Sequence, residues 1–189
     1  MKLCFADIQK LIAQKENTNI EFKKSTGQLE RGMETMCAFL NGNGGTVLFG
    51  VLDNGEINGQ EVADSTKRSI AEHIREITPI AAVNVDYIPV AQTNNYIIAL
   101  HAEDSKMERP FMYKGRAYMR VESTTTIMPQ EVYNQMLFER DGVRHRWESL
   151  VNPNLAINDL DEQEILKTVR LGIESGRLPE NTGNNILIF

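Results

Sequence analysis

Apolar residues along this chain recur at two different periods, and the switches between them divide it into elements. Phe5, Ile8, Leu11 and Ile12 fall at helical spacing and predict a short amphipathic helix over Phe5–Gln14. From Thr18 to Lys24 the pattern alternates, with Ile20 and Phe22 on one face and Asn19, Glu21 and Lys23 on the other. That is the signature of a strand with one buried side. Gly27 breaks it. Leu29, Met33, Met36, Cys37 and Leu40 then define a helix, and Asn41-Gly-Asn-Gly-Gly closes it with residues able to take positive φ.

Thr46–Leu52 is a compact β-branched and apolar run, the composition of a central strand. Asp53-Asn-Gly signals a tight hairpin with Glu56-Ile-Asn-Gly as its short returning strand. Asp64–Ile77 reads as a second amphipathic helix, stopped before Pro79. Val83–Val90 and Tyr96–His101 predict two strands joined around Gln92-Thr-Asn-Asn. Phe111–Tyr113 and Ala117–Val121 predict a hairpin turning at Lys114-Gly-Arg116. Pro129 suits the first turn of a helix running to about Arg140. The expected class is α+β: a mixed β-sheet with two main helices packed against it.

After Trp147 the texture changes. Asn152-Pro-Asn-Leu reads as a linker, and Asp161–Gly176 as an amphipathic helix with an acidic start. The expected organisation is an N-terminal helix over 1–15, a domain over 16–147, and a linker with a helical appendage over 148–189. The apolar ending Ile186-Leu-Ile-Phe189 suggests a segment leading into a further domain.

Charge and composition narrow the function classes. The chain carries a formal net charge of −6, which argues against a broadly basic, nonspecific duplex-binding surface. A local basic patch remains open, because a field depends on where charges lie. Cys4 and Cys37 offer no disulfide framework, and His73, His101 and His145 are too scattered for a zinc site. No apolar run approaches the roughly 20 residues that span a bilayer. Cytoplasm is the expected location.

Three sets of residues could carry chemistry. Glu16, Glu21 and Asp53, with Lys23 beside them, could converge as an oxygen site for Mg²⁺ or Mn²⁺. The plainer account is a solvated strand face and the usual first residue of a tight turn. The glycines of Asn41–Gly59 could approach a phosphate. Their helix–loop–strand order reverses that of a phosphate cradle, so capping and close packing explain them better. Lys23, Lys24, Arg31, Lys114, Arg116 and Arg120, interleaved with Tyr113 and Tyr118, could grip phosphates and stack on bases, or could guard an exposed strand edge. Arg140, Arg144 and Arg146 are offset by Glu139, Asp141 and Glu148 and read as an ordinary charged helix end.

Several of these segments, in this order, resemble the Schlafen AlbA-2 domain. The likeness begins at Glu16-Asn-Thr-Asn-Ile-Glu-Phe-Lys-Lys-Ser25 and continues through Cys37-Ala-Phe-Leu-Asn-Gly-Asn-Gly-Gly-Thr-Val-Leu-Phe-Gly-Val-Leu-Asp-Asn-Gly. Gly59, Ile77-Thr-Pro79, Arg109-Pro110 and Tyr118-Met-Arg-Val extend it over about Glu16–Leu137. The resemblance implies a compact mixed sheet with two helices and a DNA-binding role, often at the head of bacterial transcriptional regulators. ATP binding would belong to later domains of such chains. The resemblance also implies an alternative: animal Schlafen cores are endoribonucleases whose three carboxylates fall on Glu16, Glu21 and Asp53 here. Those enzymes pair two such domains, so a homodimer could supply the second copy. A protein-interaction or oligomerisation domain, consistent with the acidic pI of about 5.2, is the third reading.

Overall fold

The computed structural model describes residues 3–144 and 161–179. Two compact units divide the chain, Met1–His145 and Arg146–Phe189. The first is built on a four-stranded sheet. Strand β1 (Ile20–Lys23) runs parallel to β2 (Gly45–Phe49), and β2 runs antiparallel to β5 (Tyr96–Ala102), which pairs antiparallel with β4 (Val83–Pro89). All five residues of β2 are buried. A strand flanked by neighbours and covered on both faces has no polar side, hence its continuous apolar run.

Alternation along the strands sends side chains into two cores. Ile20, Phe22, Leu48, Ile97 and Ala99 point to the face covered by Ile8 of helix α1 (Phe5–Ala13). Val47, Phe49, Ile98 and Leu100 point to the other face, beneath helices α2 (Leu29–Asn41) and α3 (Asp64–Arg75). Helix α2 approaches the sheet closely where Gly32 lies over the Phe49 ring. A Cβ at Gly32 would stand 2.4 Å from Phe49 Cζ.

The remaining strands are short. β3 (Ile77–Thr78) pairs antiparallel with β6 (Met112–Tyr113), and β7 (Tyr118–Val121) with β8 (Thr124–Ile127). Helix α4 (Gln130–Arg144) completes the unit. In the second unit, α5 (Glu162–Glu174) is capped by Asp161, whose side chain accepts from Gln163 N and Glu164 N. Among the described residues no helix is long and apolar enough to cross a membrane. The Asn152 linker and the terminal Ile186–Phe189 run lie outside the described residues.

Several sequence expectations change. The second helix ends at Arg75, and Ile77–Thr78 leaves it as a strand because Met112–Tyr113 offers it an antiparallel partner. Lys114-Gly115 does turn the chain, with Tyr113 N and Arg116 N each donating to the other's carbonyl. The hairpin partner of β7, however, is β8 and not Phe111–Tyr113. The returning strand after Asp53 shrinks to a single bridge between Val51 and Ile57. Glu21, expected on a solvated face, is buried.

Asn41, at the last turn of α2, fastens the β6–β7 region to the core. Its side-chain amide donates to the carbonyls of Phe111 and Tyr118, both at 2.9 Å, and its Oδ1 accepts from Phe111 N at 2.7 Å. Asn41→Ala leaves Phe111 N and Tyr118 O unpaired and Phe111 O with only the weak Cys37 thiol donor at 3.4 Å, and should destabilise the fold by about 3 kcal/mol. Urea unfolding measures this, and a loss below about 1 kcal/mol would mean water replaces the amide.

The thiols differ in environment. Cys4 is exposed, whereas burial pushes the Cys37 thiol up to about 12. A thiol reagent at mildly alkaline pH should therefore modify Cys4 quickly and Cys37 only after denaturant is added. Two fast equivalents in the native state would contradict the packing of α2.

Candidate nucleic-acid interface

One residue of register separates an internal lysine from an external one. Lys23 pairs with Phe49 in the β1–β2 register, on the face that lies under α2. Its side chain is only 13% exposed, and its Nζ donates to Glu21 Oε1. Lys24, just past the strand, is exposed, and its amide donates to Gln28 Oε1 at 3.0 Å.

Arg120 also points inward. Its guanidinium meets Glu21 Oε2 at 2.8 Å, and its side chain is 7% exposed. A cation already neutralised and buried is not available to a phosphate, so Lys23 and Arg120 leave the set of exposed contacts.

The three carboxylates are held apart by separate duties. Glu16 Oε1 accepts from Phe22 N at 2.8 Å, closing the turn that leads into β1. Both Glu21 oxygens are occupied by cations. Asp53 is exposed at its turn and lines an open groove with Lys24, Ser25 and Asn54. Among the described residues no group of three or more His, Cys, Asp or Glu side chains could hold a metal ion. The residues therefore do not fit Mg²⁺ or Mn²⁺ as arranged.

Four exposed cations remain, and contacts place them around the first turns of α2. The groove beside Lys24 shares Gly27 and Gln28 with a second open groove lined by Glu30, Arg31 and Glu34. Lys114 Nζ reaches Glu30 at 2.8 Å, bringing the Tyr113–Arg116 turn beside that helix end. The ammonium holds the Glu30 carboxyl below its usual range, and Glu30 raises Lys114 in return. Arg116 lies close enough to Tyr118 for its charge to act on that phenol, whose hydroxyl donates to Glu34. No described carboxylate forms an ion pair with Lys24, Arg31 or Arg116, whereas Lys114 is paired.

The tyrosines serve the interior. Tyr113 is 1% exposed, its phenol pushed up to about 12 by burial and hydrogen-bonded to His73 Nδ1. Tyr118 is 8% exposed. Neither presents a ring for base stacking. Sequence reasoning missed Gln28, Glu30 and Glu34, which shape the grooves. Helical spacing was the available signal: Gln28 and Glu34 stand three residues to either side of Arg31, and Glu30 stands four before Glu34.

The crystal structure of the DIP2311 protein from Corynebacterium diphtheriae is similar, with a TM-score of 0.51 and 13% identity over 93% of this chain. This chain spans 40% of that one, and at such identity the likeness concerns fold alone. The N-terminal domain of a Nitrosomonas europaea protein described as related to the ATP-dependent DNA helicase RecG gives a TM-score of 0.45. It is 21% identical over 62% of this chain and 90% of that one. A search of curated proteins returns no match. The family model described as Schlafen, AlbA_2 matches residues 16–129, more than half of the chain, and the chain belongs to that family.

Proposed function

We propose that the Met1–His145 unit binds nucleic acid through the phosphate backbone, as the DNA-contacting part of a bacterial transcriptional regulator acting in the cytoplasm. The observation that carries this reading is the trio of exposed, unpaired cations, Lys24, Arg31 and Arg116, gathered at the first turns of α2. In a chain of net charge −6, such a group is the part of the surface that a polyanion would meet. Lys114 flanks it but shares its charge with Glu30 and Glu76, so it contributes less. Family membership points the same way, since the Schlafen AlbA-2 resemblance implies DNA binding.

The contacts in this reading are electrostatic and local. Phosphate-gripping side chains release condensed counterions, so affinity falls as salt rises. Asp53 and Asn54 at the edge of the Lys24 groove place one acceptor and one amide beside the lysine. Those are groups that meet base edges once phosphates fix the register.

Fluorescence anisotropy with a labelled duplex across a salt series tests the reading. Arg116→Gln and Lys24→Gln should each weaken binding and lower the slope of log affinity against log salt by about one. Arg75→Gln, in the last turn of α3, should leave the slope unchanged. Binding that is absent, or insensitive to salt, would instead favour a protein-interaction domain.

A further inference from the structure

Glu21 is a carboxylate on the inner face of an edge strand, on the side covered by α2. Its side chain is 12% exposed and lies against two cations, Lys23 on Oε1 and Arg120 on Oε2. Arg120 arrives from 99 residues away in sequence. The same guanidinium donates to the Asn17 carbonyl at 2.8 Å, in the segment entering β1, and to Thr125 Oγ1 at 2.9 Å on β8. It also lies over the Phe39 ring of α2 at 5.2 Å. One side chain thus joins β7, β8, the start of β1 and α2.

The outer part of the hairpin has few other anchors. Val121 and Ile127 are 55% and 56% exposed, and Glu122, Ser123 and Thr124 are exposed at its tip. Tyr118 is buried at its base, and Thr35 Oγ1 meets Thr125 Oγ1 at 2.9 Å. Polar contacts therefore seat the outer part of the hairpin where apolar burial does not.

We propose that Glu21 is the counter-ion of an internal latch that seats the β7–β8 hairpin, and is not a metal ligand. Arg120 is correspondingly a positioning residue for the neighbouring Arg116 and not itself a phosphate contact. A metal on Glu21 would have to displace Lys23 and Arg120, leaving two cations uncompensated in a region of low dielectric. The latch also has a built-in asymmetry. Removing Arg120 leaves Glu21 paired with Lys23, whereas removing the Glu21 charge leaves two cations facing each other.

Hydrogen exchange of the full chain reads the latch directly. Glu21→Gln and Arg120→Gln should each speed exchange of the β7–β8 amides at least about tenfold, with β5 amides unchanged. Unchanged hairpin exchange in Glu21→Gln would overturn the proposal. Should Glu21→Gln fail to fold, Thr125→Val takes its place. It removes one acceptor of Arg120 and the partner of Thr35, and must still loosen the hairpin.

Titration with Mn²⁺, followed by the electron paramagnetic resonance of the free ion, addresses the carboxylate. Identical curves for wild type and Glu21→Gln support the latch, and saturable binding lost in the variant overturns it. The positioning arm rests on the proposed nucleic-acid function. Arg120→Gln should weaken duplex binding while keeping the wild-type salt slope, and a slope reduced by about one would make Arg120 a phosphate contact. A wild-type chain that binds no nucleic acid would sink the functional reading, while the exchange measurement would still decide the latch.

Discussion

The close seating of α2 on β2 is the constraint from which most of this structure follows. Gly32 lets the helix descend until the Phe49 ring fills the space a side chain would need. At that separation Met33, Met36, Cys37 and Leu40 reach the sheet core. The far end of the helix then lies where Asn41 can satisfy three backbone groups of Phe111 and Tyr118. Those bonds orient the chain entering β6 and β7, and so the turn that carries Lys114 and Arg116. The near end presents Gln28, Glu30 and Arg31 to solvent. One helix therefore organises the interior with one end and the candidate interface with the other.

Charge placement obeys the same geometry. The register of β1 puts Glu21 opposite Val47 and Lys23 opposite Phe49, under the helix and against Arg120. The chain leaves the strand at Lys24, which emerges beside the turn at Asp53. Adjacent lysines thus serve opposite purposes, one neutralised inside and one exposed. The protein remains acidic overall because many of its carboxylates lie elsewhere on the surface. Among its exposed cations without a carboxylate partner, Lys24, Arg31 and Arg116 are the ones grouped around the start of α2.

Much of the fold was legible in the sequence because its elements follow strong local rules. Phe5–Ala13 and Leu29–Asn41 carry clear helical periodicity, and both fall within a residue or two of their expected limits. The continuous apolar run of β2 announced a strand with no solvent face. What was not legible depended on partners distant in sequence. Ile77–Thr78 continues a helical pattern locally and becomes a strand only because β6 lies alongside. Phe111–Val121 contains one true turn, yet β7 takes β8 as its partner.

The site was legible as a set of residues and not as an arrangement. Alternation correctly put Glu21 and Lys23 on the same face, but alternation alone cannot say whether that face meets water or a helix. An apolar neighbour on a covered face is expected; a carboxylate there demands a cation, and the nearest candidate in sequence, Lys23, accounts for only one of its oxygens. The second oxygen required Arg120, whose approach depends on the Asn41 bonds and on the descent of α2. With that second cation in place, both Glu21 oxygens are engaged inside the fold. The exposed positions near it, Lys24, Arg31 and Arg116, are thereby left as the charges through which this surface can act.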